Sequence, residues 1–138
     1  SLLMYSKGVK YIQQLAGASG LGVFSAAKEA GGYAYGIDEN QNNLDPSVII
    51  ATATRYINDI VFNEINHLKK SNWSSGVHYS GIREGVIDIT REGSEVNLDS
   101  NVMKIVNSIK YKIINNDLSL PKTRNELESW IKENKYID

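Results

Sequence analysis

The chain has 138 residues, enough for one domain with its own core, and its 41% hydrophobic and 22% charged residues are ordinary for a globular protein. A net charge of −1 advertises no basic face for nucleic acid, and the absence of cysteine excludes disulfides and thiolate zinc sites. No apolar run approaches the roughly 18 residues needed to cross a bilayer.

Ser1-Leu2-Leu3-Met4 carries no signal-peptide pattern and reads as a cut inside a longer polypeptide, with any leader or anchor upstream. Lys10 to Ala16 (KYIQQLA) reads as a short strand that ends in the glycine cluster Gly17, Gly20 and Gly22. A helix pattern runs through Leu21, Phe24, Ala27 and Lys28 and is stopped by Gly31-Gly32. Tyr33 to Ile37 (YAYGI) is a second strand ending at Asp38, followed by a polar loop to Pro46. Val48 to Arg55, rich in Ile and Thr, is a third strand. Ile57, Ile60, Val61, Ile65 and Leu68 recur at helical spacing. Asn58 or Asp59 suits the start of that helix, and His67, Lys69 and Lys70 suit its negative end. Val77 to Thr90 reads as extended chain broken by Gly81 and Gly85 into two short strands. A long helix follows from about Ser100 to Asn115, with Val102, Ile105, Val106, Ile109 and Ile113 on one face. Pro121 breaks the chain, and Thr123-Arg124-Asn125-Glu126 is a capping-box sequence opening a last helix with Leu127, Trp130 and Ile131 inward.

Strands alternating with helices predict an α/β fold with a parallel sheet and right-handed crossovers. Such sheets bind ligands outside the carboxyl ends of their strands. Three features sit there. The first is Ala16-Gly17-Ala18-Ser19-Gly20-Leu21-Gly22, where small residues let a ligand approach the backbone and helix N–H groups donate to oxygens. It matches neither a dinucleotide fingerprint nor a P-loop, and Leu21 breaks the nucleophile-elbow pattern at Ser19. The residues alone leave open whether this turn binds anything or merely needs glycine. The second is Asp38, whose carboxylate can accept from two adjacent hydroxyls of a sugar or simply cap a turn. The third is Arg55, placed to bond a ligand, to pair with Asp38, or to lie in a surface ion pair. His67 and His78 lack a second ligand at metal spacing, and Glu84 and Asp88 lack the partners of a glycosidase pair. No metal, cofactor or catalytic residue is called for.

Taken together, these stretches resemble the basic membrane protein (Bmp) family of substrate-binding lipoproteins. MYSKGVKYIQQLAGASGLGVFSAAKEAG is similar to its strand, small-residue turn and helix ending Lys-Glu-Ala-Gly. AYGIDENQ resembles its strand ending Gly-Val-Asp-x-Asp-Gln, with Gly36, Asp38 and Gln41 in place and Asn40 where the second Asp usually stands. IIATATRYINDIV resembles its next strand and helix, and GIREGVIDI its Gly-Leu-x-Glu-Gly-Gly-Val run. The match is collinear from about Met4 to Pro121.

The resemblance implies the C-terminal half of a type I periplasmic-binding-protein fold, in which two α/β lobes close on a ligand. Residues 4–55 then belong to one lobe and residues 57–138 to the hinge and the other. It implies a non-enzymatic, extracytoplasmic, membrane-anchored component of an ABC importer, partnered by permease subunits and binding a nucleoside. The ligand-binding residues expected are Gly17 and Ala18 in the turn, Asp38 on the ribose hydroxyls, and Arg55 where nucleoside-binding members carry Lys. Arg keeps the charge but changes its shape. An incomplete sheet leaves an open edge, so a homodimer through that edge is expected. The rival expectations are a ligand-sensing regulatory module on the same fold, a small α/β enzyme with an unrecognised site, and a truncated piece without independent activity.

Overall fold

The computed structural model describes residues 1–133. The chain divides into two compact units, one running Ser1–Leu98 and a second beginning at Asp99. In the first unit the order is α1 (Leu2–Ser6), β1 (Tyr11–Gln13), a 3₁₀ turn (Gly17–Gly20), α2 (Leu21–Ala30), β2 (Tyr33–Asp38), a 3₁₀ turn (Asn42–Leu44), β3 (Ile49–Arg55), α3 (Ile57–Lys69) and β4 (Ile87–Thr90). The four strands form one sheet in the order β1-β2-β3-β4.

β1, β2 and β3 are mutually parallel, so the α/β expectation with a parallel sheet holds. β1 and β2 are joined through α2, which ends where Gly31 adopts the left-handed conformation at φ 66°. β2 and β3 are joined without a helix, through the polar segment 39–48. β4 departs from the parallel pattern and runs antiparallel to β3, with Arg55 opposite Ile87. The connection after α3 brings the chain back to the sheet end it left, and the Tyr56 N–H donates to the Val86 carbonyl at 2.9 Å. A strand starting there can only run backwards along β3. Of the two strands expected between Val77 and Thr90, only β4 forms.

The core follows from alternation along the strands. Ile12, Ala34 and Ile49 pack with Phe24, Ala26 and Ala27 of α2 and with Tyr5 of α1. Ile50, Ala51 and Val96 form a second cluster, with Tyr35 and Leu98 packed on it. α3 begins at Ile57 with Tyr56 as its N-cap, not Asn58 or Asp59, and without a side-chain cap bond. The Tyr56 carbonyl already accepts the N–H groups of Asp59 and Ile60, which fixes the first turn two residues early.

In the second unit, α4 spans Ser100–Ile114 and is capped by Asp99, whose carboxylate accepts the Asn101 N–H at 2.7 Å. α5 spans Arg124–Glu133. Thr123 Oγ1 accepts the Glu126 N–H at 3.3 Å, as a capping box requires. The Glu126 carboxylate reaches one residue further back than the motif predicts, to the Lys122 N–H at 2.7 Å. That bond, with the Thr123 hydroxyl, holds its carboxyl below the usual range.

Candidate functional site

The carboxyl ends of the parallel strands make one rim, and the residues expected at a site all lie on it. Gly17 and Ala18 are in the 3₁₀ turn after β1, Asp38 is the last residue of β2, and Arg55 is the last residue of β3. Register places Asp38 opposite Thr54, so Asp38 and Arg55 are near neighbours across the β2–β3 ladder. The Arg55 guanidinium meets Asp38 Oδ1, with Nε donating at 2.6 Å and Nη2 lying 2.5 Å away. Both side chains are about half exposed, at 53% and 52%. An ion pair this open to water contributes under about 1 kcal/mol. Its interest is therefore geometric: both Arg55 contacts fall on one oxygen of Asp38, Oδ1. Asp38 also sits at φ 70°. That left-handed conformation costs a non-glycine residue roughly 1–2 kcal/mol, with Asp among the more tolerant types.

An open cleft of ≈ 710 Å³ begins at this pair. Its walls include Asp38, Glu39, Asn40, Arg55, Tyr56 and Asn58, with Thr90 and Glu92 from the end of β4 and beyond. Gly17 and Ala18 are not among its walls. They stand on the neighbouring stretch of the same rim, both exposed. Gly17 needs its glycine, because its φ is 54°.

What holds the rim together is a buried polar network that the sequence reading did not identify. Gln14 Oε1 accepts the Ala16 N–H at 3.0 Å, and Gln14 Nε2 donates to Gln41 Oε1 at 3.2 Å. Gln41 Oε1 also accepts the Ile37 N–H at 3.0 Å, and the Gln41 N–H donates to Thr52 Oγ1 at 3.1 Å. The Thr52 hydroxyl donates to Asn42 Oδ1 at 2.9 Å, and Asn42 Nδ2 donates to the carbonyls of Thr90 and Glu92. Asn42 and Thr52 are fully buried and Gln14 nearly so. A polar group with its bonds made is tolerated there, and one left unmade costs about 1–3 kcal/mol. Asn40, which departs from the family's Asp, is part of the frame: it donates to the Glu92 carbonyl and accepts the Asn42 N–H. The signal for Gln14 was present in the alternation, since it shares the inward side of the chain with Ile12.

A second polar group lies away from the rim. Glu64 of α3 receives Trp73 Nε1 at 2.8 Å and His78 Nδ1 at 3.0 Å. These bonds, that of His78 first, hold the Glu64 carboxyl below the usual range. No group of three or more metal-ligating side chains occurs among the described residues.

A cleft at the carboxyl ends of parallel strands, bordered by a carboxylate and a guanidinium, lies where open α/β sheets bind their ligands. The fold is shared with a solute-binding protein of an ABC transporter system from Aeropyrum pernix K1, at TM-score 0.72 and 20% identity over 96% of this chain and 46% of that one. It is shared equally with a transcriptional activator of the comK gene from Bacillus halodurans, at TM-score 0.73 and 20% identity over 81% of this chain and 39% of that one. The chain belongs to the Bmp family, described as ABC transporter substrate-binding protein PnrA-like, which matches residues 1–124. Basic membrane protein A of Borreliella afzelii is 32% identical over 135 residues, 94% of this chain. That alignment takes in 41% of the relative's length, so the chain spans about two fifths of it.

Proposed function

We propose that this chain supplies one wall of the ligand site in an extracytoplasmic solute receptor of an ABC importer, and that the ligand is a nucleoside. The observation that carries the reading is the Asp38–Arg55 pair at the mouth of the cleft. A carboxylate with one oxygen held by a guanidinium and the other open accepts from a vicinal diol, as on a ribose. Arg55 adds donors for a further ligand oxygen. The left-handed backbone at Asp38 supports the same reading, because such strain collects where a side chain must be aimed. Binding is the whole task in this reading: no bond is made or broken, and the partners are permease subunits. The division into residues 4–55 for one lobe and 57–138 for hinge and second lobe is part of the proposal, as is lipid anchoring of the full-length protein. So is pairing of two copies along an open sheet edge, at β1 or β4. Light scattering that shows only monomer at high concentration would remove that last element.

The test of function is calorimetry on the full-length gene product. Asp38→Ala is expected to weaken nucleoside binding by about 2 kcal/mol or more, as for loss of a charged acceptor. Unchanged affinity would remove the ribose role. The likeness to a transcriptional activator keeps a sensing module as the second reading. A DNA-binding segment in the same gene product would favour it, and a lipoprotein leader would favour the importer.

A further inference from the structure

We propose that Gln14 is a positioning residue that couples the Gly17 turn to the Asp38 carboxylate, an inference that rests on the diol-binding reading of Asp38. The Gln14 amide bridges two rim elements, the turn at Gly17 and the chain leading into Asp38. Its oxygen holds the Ala16 N–H, immediately before Gly17, at 3.0 Å. Its nitrogen donates at 3.2 Å to Gln41 Oε1, which also holds the Ile37 N–H, immediately before Asp38. An amide-to-amide bond thus links the two elements, with a backbone N–H fixed at each end.

Two glycines leave room for this relay as it stands. Neither Gly20 nor Gly36 has a positive φ, so backbone conformation does not demand glycine at either place. Space does. A Cβ at Gly20 would lie 2.1 Å from Gln14 Oε1. A Cβ at Gly36 would lie 2.4 Å from Thr52 Oγ1 and 3.0 Å from Gln41 Oε1. Both glycines of the family-like motifs thus leave room for the amides of Gln14 and Gln41. The Gly-rich turn earns its composition partly by admitting a side chain from β1, not only by exposing backbone to a ligand.

The relay has a direction, and direction gives the test. Position 14 must accept at one atom and donate at the other, whereas the Gln41 oxygen only accepts. Gln14→Glu, measured at a pH where it is ionised, can hold Ala16 but cannot donate to Gln41. Gln41→Glu keeps an acceptor for both Ile37 and Gln14. Affinities of the full-length gene product for inosine and for 2′,3′-dideoxyinosine would be measured by calorimetry, at a temperature where each variant is folded by circular dichroism. Gln14→Glu is expected to lose at least tenfold more inosine affinity than Gln41→Glu, with little change toward the dideoxy ligand. A merely structural role would lower both ligands alike. Asp38→Ala runs alongside. If Asp38→Ala loses inosine affinity while Gln14→Glu binds it like wild type, the coupling is wrong and the diol reading stands. If Asp38→Ala binds inosine unchanged, the diol reading falls and takes the coupling with it. Should Gln14→Glu not fold, hydrogen exchange on the wild type decides: inosine is expected to slow the Ala16 and Ile37 amides together, and slowing of Ile37 alone overturns the proposal.

Discussion

β3 and α3 are separated by the single residue Tyr56, yet they treat their apolar residues in opposite ways. In β3, Ile49, Ile50 and Ala51 are buried among α2, the neighbouring strands and Val96, and Thr52 and Thr54 are buried as well. In α3 no residue is buried, although Ile57, Val61, Ile65 and Leu68 recur along one face. The strand draws its stability from tertiary packing. The helix stands on its backbone bonds and on the Lys69 charge in its last turn. Apolar pattern therefore predicts which face a segment offers, not whether that face is filled.

That contrast can be broken at several points. The largest effect is expected at Ile49, which is fully buried in the α2-facing cluster. Ile49→Ala should cost about 2–5 kcal/mol of stability in urea denaturation, through lost burial and the cavity left behind. Thr52→Val should come next, at about 1–3 kcal/mol. It strands the Asn42 Oδ1 acceptor and the Gln41 N–H in a buried place, while the volume stays nearly constant. A smaller, pH-dependent loss is expected at Asp45, whose carboxylate accepts from Ser47 Oγ at 2.7 Å and from Lys28 Nζ at 3.0 Å. The Ser47 hydroxyl, then Lys28, holds this carboxyl below the usual range. A depressed folded-state pKa contributes stability that is present above the ordinary Asp value of about 3.9 and is lost as pH falls through the depressed one. Asp45→Asn should therefore be less stable than wild type at neutral pH, and in thermal melts the gap should start to narrow near about pH 4 and close as pH falls through the depressed folded-state value. The smallest effect is expected from Val61→Gln on α3, within about 0.5 kcal/mol. A large loss there would show that the helix face is filled after all.

Much of this fold was legible from residues alone. The end of α2 follows from Gly31, and the ends of β2 and β3 fall at Asp38 and Arg55, as the pattern predicts. These features are local, set by backbone conformation and side-chain period. The direction of β4 was not legible, because it depends on where the 70–86 connection returns the chain. β1 is shorter than the expected Lys10 to Ala16, because Gln14 leaves the ladder to bond Ala16 and Gln41. At the site, the Asp38–Arg55 pair was one of the readings open at the two strand ends, and the structure makes it. The network through Gln14, Asn42 and Thr52 was not seen, because its bonds reach across as many as 50 residues of sequence. Gln41 and Asn42, polar residues in a loop-like stretch, carry no mark that distinguishes a solvated turn from a buried frame.

A crystal structure of the full-length gene product with inosine bound would examine the diol assignment at atomic level. The account predicts the Asp38 carboxylate about 2.5–3.0 Å from the ribose hydroxyls, with Arg55 still on its other oxygen. A nucleoside whose sugar faces a different wall, with Asp38 bonded only to Arg55, would contradict it.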